Sequence, residues 1–293
     1  MSGNGDRQQR AQRLLEILQL ERIEQNMFRG LNEERGDFRL FGGQVLAQSL
    51  RAAYHTVEER AAHSAYGYFM RAGNAGGPVL YEVERIRDGR SFTTRSVVAI
   101  QDGAAIFSLS VSFQVAENGL EHAQSMPNVP PPNELEDDLE YVARLSTRHP
   151  DLSPMAERPR PFELRSVFPP GSTQWQRERY WNPVWMRFCA PVDAGDDALA
   201  RSLLAYASDM GMVSTATLPH MGSISRSQIQ MASLDHALWI HRPIAIDDWL
   251  LFHKRTSMAS GARGLVHGEF FTLDGVLVAS VTQEGLVRQR RQP

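Results

Sequence analysis

The run VVAIQDGAAIFSLSVSFQ at residues 97–114 comes round again as GEFFTLDGVLVASVTQE at 268–284, each an Asp-Gly pair between two strand-like segments. Asp-Gly is a favoured hairpin pair because its central positions tolerate positive φ. Ahead of each hairpin lies a helix-like run that is apolar on most sides, FGGQVLAQSLRAAYHTV at 41–57 and DALARSLLAYASDMGMVSTA at 197–216. A helix of that texture is wrapped by other structure and does not lie on a surface. A period of roughly 170 residues is far longer than a solenoid unit, so it predicts two domains of one fold. Each half becomes a long helix enclosed by an antiparallel sheet, which gives an α+β class.

The remaining segments fit that plan. Leu14, Leu15, Ile17 and Leu18 fall at helical spacing in AQRLLEILQLERIEQ, and QNMFRGL then reads as a strand. From Ala65, the runs AYGYFMRA, VLYEVERIRDG, FTTRSVVAIQDG and AAIFSLSVSFQV predict a meander, with tight turns at Asp88-Gly89 and Asp102-Gly103. Residues 120–161 are rich in proline and acid, with one short helix expected in ELEDDLEYVARLS, and are read as an interdomain connection. The expected division is therefore an N-terminal domain over 1–119 and a C-terminal domain over 162–293. There FELRSV and YWNPVWMRFCA read as strands, followed after the helix by a second meander from LDHALWIHRP onward.

Composition removes several functions. A formal charge of -3 gives no field that would gather nucleic acid or an anionic membrane surface. Cys189 stands alone, so neither an internal disulfide nor a multi-thiolate metal site can form, and a reducing, cytoplasmic location is expected. The start MSGNGDRQQRAQ lacks the apolar core of a signal peptide, and no run approaches the ~18 apolar residues of a membrane span. The basic end RQRRQP reads as a solvated terminus. Nucleophile-elbow, Walker, dinucleotide and H-E-x-x-H patterns are all missing from the sequence. His267 and Glu269 share a strand face but make two ligands, short of the three that a catalytic zinc needs.

One acid stands out. Asp209 sits in LLAYASDMGM, inside the second apolar helix. These ten letters alone fit a solvated carboxylate as well as a working base. Enclosure by a sheet makes an ionised carboxylate costly unless it is paired or hydrogen-bonded, and buried acids of this kind are functional candidates. Asp235, His236 and His241 offer another acid with two imidazoles, but Asp235 and His236 point to opposite faces of a strand, and both histidines are read as structural. His63 reads as a loop histidine.

FGGQVLAQSL, RDGRSFTTRSVVAIQDG, LLAYASDMG, SLDHALWIHRP and DGVLVASVTQEG, in that order, resemble acyl-CoA thioesterase II, the double-hotdog thioesterases. The likeness runs from about Leu14 to Arg288. It implies two fused hotdog domains and hydrolysis of medium- to long-chain fatty acyl-CoA by a water that three side chains hold. Carried onto this chain, these are Asp209, Ser233, which stands where the bacterial family commonly has threonine, and Gln283. Ala72 replaces a usual proline in a turn. The resemblance also implies a homodimer or larger assembly, acyl-CoA as the partner molecule, and no metal or cofactor. Without it, Ser233 is an ordinary strand serine and Gln283 an ordinary exposed glutamine.

The residue types suit the chemistry. Water attack on a thioester needs a base, groups that orient the water, and a donor for the oxyanion. Asp209 can be the base, with Ser233 and Gln283 as orienting groups. The backbone N–H groups of Gly42, Gly43 and Gln44 at the first helix start are either the oxyanion donors or simply a glycine-rich helix opening. Two other functions compete: a non-catalytic acyl-CoA binding or regulatory protein, and a hotdog enoyl-thioester hydratase. Hydratases of this kind place a histidine five positions after the aspartate, where this chain has Ser214.

Overall fold

A computed structural model of the chain describes residues 2–32, 39–146, 160–169 and 171–290. The helices are α1 (Ser2–Ile17), α2 (Gly42–Tyr54), α3 (Asp138–Ser146), α4 (Thr173–Arg177), α5 (Asp197–Ser208) and α6 (Met212–Thr215). The strands of the first half are β1 (Glu21–Glu24), β2 (Met27–Gly30), β3 (Ala61–Phe69), β4 (Val79–Asp88), β5 (Phe92–Gln101) and β6 (Ala104–Gln114). Those of the second are β7 (Phe162–Ser166), β8 (Trp181–Phe188), β9 (Ile229–Ser233), β10 (Asp235–Ile240), β11 (Leu250–Ser260), β12 (Arg263–Thr272) and β13 (Leu277–Gln289).

All strands join one antiparallel sheet in the order β1-β2-β4-β5-β6-β3-β10-β13-β12-β11-β8-β7, with β9 added against β13. The two halves have the same internal order, mirrored about the β3–β10 pair, where Tyr66 faces Ala237. The expected meander is therefore corrected in one respect. β3 does not pair with β4 but crosses to the far side of β6, and β10 does the same beside β13. That transposition brings one strand of each half to the centre and makes the sheet continuous.

α2 and α5 lie inside the curve of this sheet. Leu46, Ala47, Leu50, Ala52 and Ala53 on α2, and Leu203, Leu204, Ala205, Tyr206 and Ala207 on α5, are fully enclosed. Facing them are Phe107, Leu109, Val111 and Phe113 of β6 and Phe252, Val266, Phe270 and Val281 of the second half. Each large apolar side chain so buried stabilises the fold by about 1.5–3 kcal/mol. A residue such as Leu203 shortened to alanine would cost about 2–5 kcal/mol.

Two further expectations change. The first helix ends at Ile17, and the LERIEQ segment forms β1, exposed throughout and hairpinned onto β2. Asp102-Gly103 is a tight turn with φ of 50 and 74, but Asp88-Gly89 belongs to a wider connection closed by Gly89 N–H donating to the Phe92 carbonyl at 2.9 Å. The described part of the proline-rich connection is docked on the second half. Trp185 Nε1–H donates to the Pro130 carbonyl at 2.9 Å, and Asp138 accepts from the Ser166 N–H and hydroxyl. Residues 147–159 of that connection and the last three of the basic end lie outside the described residues.

Candidate active site

Asp209 is not in the middle of a helix. α5 stops at Ser208, Asp209 caps it, and Gly211 takes a left-handed φ of 77 before the short α6 begins. A left-handed glycine just past the last turn is a common way to end a helix, because glycine has no Cβ to clash there. The apolar run 197–216 thus folds as two helices with the acid at their junction.

Four elements meet at that carboxylate. Gln283 on β13 donates from Nε2 to Oδ1 at 2.9 Å, and the Ser233 hydroxyl at the end of β9 donates to the same oxygen at 3.5 Å. From the first half, the Gly43 N–H at the opening of α2 donates to Oδ2 at 2.9 Å. The structure therefore brings together all three residues that the resemblance marked. Gln283 is enclosed and not exposed, because it shares the inward face of β13 with Val281 and Ala279. Asp209 is 8% exposed, and burial raises its pKa to about 6 against the three donors, which pull it down. A carboxylate so placed remains ionised at neutral pH and is a stronger base than a surface aspartate.

The N–H groups at the α2 opening are accounted for differently. Gly43 N–H is taken by Asp209, and Gln44 N–H donates to the Phe41 carbonyl at 3.1 Å. Both N–H groups therefore already have acceptors in this structure. The glycines serve close approach. A Cβ on Gly43 would lie 2.4 Å from the Tyr206 carbonyl oxygen, and one on Gly42 2.8 Å from Asp209 Oδ2. Real Cβ contacts are never this short, so only glycine lets α2 reach the end of α5.

The repeat makes this site single. The Asp-Gly hairpins set Val111 at the place equivalent to Gln283, and Val111 faces Ala65 across the ladder. His236 occupies the matching place opposite Gln283, one step beyond the Ala237–Thr282 pair. The residue capping α2, as Asp209 caps α5, is His55. The first half therefore presents Val111, Ala65 and His55 where the second presents Gln283, His236 and Asp209.

Other candidates fall elsewhere. His63 lies on β3 and not in a loop, and bonds the Ser112 hydroxyl at 2.8 Å. Asp235 points away from His236, accepting from the Glu284 N–H at 2.7 Å. His241 bonds Ser280, while His267 contacts Ser257 and Thr282. No group of three or more histidine, cysteine or acidic side chains that could hold a metal ion occurs among the described residues. His236, read from the sequence as structural, is fully enclosed with Nε2 2.8 Å from the Ser208 hydroxyl. The signal was available: Leu238 and Ile240, two and four residues on, mark an inward face.

Comparison with known proteins agrees with this architecture. The family model described as acyl-CoA thioesterase matches residues 174–286, and that of the acyl-CoA thioesterase N-terminal domain matches residues 33–114. Human acyl-coenzyme A thioesterase 8 is 39% identical over 285 residues, spanning 94% of this chain and 89% of that protein. Acyl-CoA thioesterase 2 of Haemophilus influenzae is 36% identical over 280 residues, spanning 94% and 96% respectively. The crystal structure of the acyl-CoA thioesterase II TesB2 from Mycobacterium marinum superposes with a TM-score of 0.78 at 38% identity, covering 96% of this chain and all of that one. With its two helices enclosed in one mirrored sheet, the chain belongs to the acyl-CoA thioesterase II family of double-hotdog thioester hydrolases.

Proposed function

We propose that this protein hydrolyses medium- to long-chain fatty acyl-CoA to free fatty acid and coenzyme A, with Asp209 as general base and Ser233 and Gln283 orienting the attacking water. The observation that carries the reading is the convergence of Gln283, Ser233 and Gly43 on one buried carboxylate. Counting lone pairs assigns the roles. Oδ1 already receives two donors, whereas Oδ2 receives one and retains a lone pair for a proton from water. The second N–H of Gln283 can hold the water oxygen, and the Ser233 oxygen can accept the water's other proton. One lone pair of the water is then left to face the thioester carbon. Asp209 takes the proton as the carbon–oxygen bond forms, and the thiolate of coenzyme A leaves when the tetrahedral intermediate collapses. No acyl-enzyme forms. Phe69 and Phe41 flank the α2 opening and offer an apolar surface to the acyl chain.

Two structural expectations belong to the same reading. The boundary between hotdog domains falls at 120–161, supported by family matches that stop at 114 and resume at 174. Assembly as a homodimer or larger is expected from light scattering at micromolar protein, and a monomer there contradicts it. No helix of the described residues is long and apolar enough to cross a membrane.

The test is a panel of acyl-CoA substrates of increasing chain length with thiol release followed by a chromogenic reagent. Turnover that peaks on medium or long chains supports the proposal. Binding of acyl-CoA without thiol release makes the protein a non-catalytic binder, and hydration of an enoyl thioester without thiol release makes it a hydratase.

A further inference from the structure

Among the described residues, two buried atoms beside Asp209 have no hydrogen-bond partner, His236 Nδ1 and Gln283 Oε1. They belong to residues that face one another across the β10–β13 ladder, and the Gln283 amide draws the His236 pKa upward against burial, which pushes it down to about 4. An unpartnered polar atom in a protein interior is costly, and a proton on Nδ1 aimed at Oε1 would satisfy both atoms, which do not bond each other in this structure. The Ser208 hydroxyl lies 2.8 Å from both the Ala205 carbonyl and the imidazole Nε2, and in this tautomer its single proton turns to Nε2. Ser208 is the residue immediately before Asp209.

We propose that His236 is the positioning residue for the Gln283 amide: its Nδ1–H donates to Oε1 and so keeps the NH₂ end of that amide turned toward Asp209 and the attacking water. The proposal rests on the catalytic reading above and extends it by one residue. Its reason lies in the reaction cycle. While Asp209 is ionised, its charge alone favours the NH₂ end of Gln283. Once Asp209 has taken the proton on Oδ2, passing it to Oδ1 would let that O–H donate to Oε1, and an amide free to turn would accept it. A glutamine is nearly symmetric in shape, so only its partners fix which end faces where. A donor behind the amide that does not change during turnover holds Gln283 through the protonated stage.

The duplicated fold provides an internal control. At the matching place in the first half, where Val111 replaces Gln283, the residue opposite is Ala65. Among the described residues, an enclosed imidazole occurs only in the half that has the amide and the acid. The titratable groups around the cluster are Asp209 from the end of α5, His236 from β10 and, beyond Gly211, Lys254 from β11. Asp235 and Glu284 alternate to the other face of their strands, where they bond Tyr66 and Arg263.

The experiment compares pH profiles of kcat for the parent, His236→Leu and His236→Asn, with Asp209→Asn as control. The Nδ2–H of an asparagine sits where the imidazole Nδ1–H does. His236→Leu is expected to lower kcat about tenfold, the usual worth of one lost hydrogen bond, with KM unchanged. It should also raise the acid limb by about one pH unit, because a turned amide stabilises protonated Asp209. His236→Asn should restore both. An unchanged acid limb in His236→Leu, or equal losses in the Leu and Asn variants, overturns the proposal. If the control loses activity while His236→Leu is silent, only this inference fails; if the control stays active, the catalytic reading itself fails. Should both His236 variants not fold, nitrogen NMR of labelled histidine in the parent decides: the Nδ1–H tautomer at neutral pH supports the proposal, and the Nε2–H tautomer overturns it.

Discussion

The Gly43 N–H, in the first turn of one half's central helix, donates at 2.9 Å to Oδ2 of Asp209 at the last turn of the other's. The acid is therefore held by both halves of the duplication, which explains why the helices must approach so closely. A Cβ at position 43 would press on the Tyr206 carbonyl and the Phe41 ring. Gly43→Ala is expected to separate the helix ends, lengthen this hydrogen bond and lower kcat about tenfold or more. Overpacking should also cost about 1–3 kcal/mol of stability. Steady-state kinetics with a denaturation curve measure both.

Ser233 supplies a hydroxyl at 3.5 Å from Asp209 Oδ1, the longest of the three contacts. Its contribution is expected to be smaller than that of Gln283. Ser233→Ala should lower kcat about tenfold, and Ser233→Thr, which keeps the hydroxyl, should stay close to the parent. Kinetics of the pair, on one substrate at one pH, check the order.

Much of this was legible in the sequence, for physical reasons. The central helices announce themselves through apolar residues on every side, such as Leu46, Leu50, Leu203 and Tyr206, because only enclosure tolerates them. Asp102-Gly103 fixes the β5–β6 hairpin locally. The positions of β3 and β10 were not legible. No tight turn ties β3 to β4, so its place is decided by packing around α2, which a local pattern does not carry. Gly211 could have shown that α5 ends at Asp209, but the apolar run masked it. The residues themselves marked Asp209 as notable, whereas Ser233 and Gln283 depended on family resemblance, since a polar residue on an inward strand face says little about its partner.

Burial makes Asp209 a conditional liability to folding. Its folded pKa of about 6 lies above the ordinary aspartate value, so between about pH 4 and 6 the folded state holds the proton more tightly than the unfolded chain. Its contribution to stability is present at low pH and is lost as pH rises through 6. The shift corresponds to roughly 3 kcal/mol. Chemical denaturation from pH 4 to 7 should show the parent losing stability relative to Asp209→Asn across that window. A constant difference between the two contradicts the perturbed acid.

Lys254, the chain's only lysine, has the opposite behaviour. It is 2% exposed on β11, its amine 4.2 Å from the Phe252 ring centre, and burial pulls its pKa down to about 7. Between about pH 7 and 10 the unfolded chain binds the proton more tightly, so stability rises with pH across this range. Lys254→Met should abolish that rise and be more stable than the parent at pH 7, since it removes a buried charge at similar volume. Parallel denaturation series at pH 7 and pH 9.5 check it.

The most direct test of the account is thiol release from acyl-CoA by Asp209→Asn, measured beside the parent. Replacing the carboxylate with an amide of the same shape is expected to preserve the fold while removing the proposed base. The predicted result is a fall in kcat of ~10²–10⁴ with KM within a few-fold, the usual worth of a positioned base. A variant that hydrolyses acyl-CoA at nearly the parent rate would contradict the central claim and remove Asp209 from the chemistry.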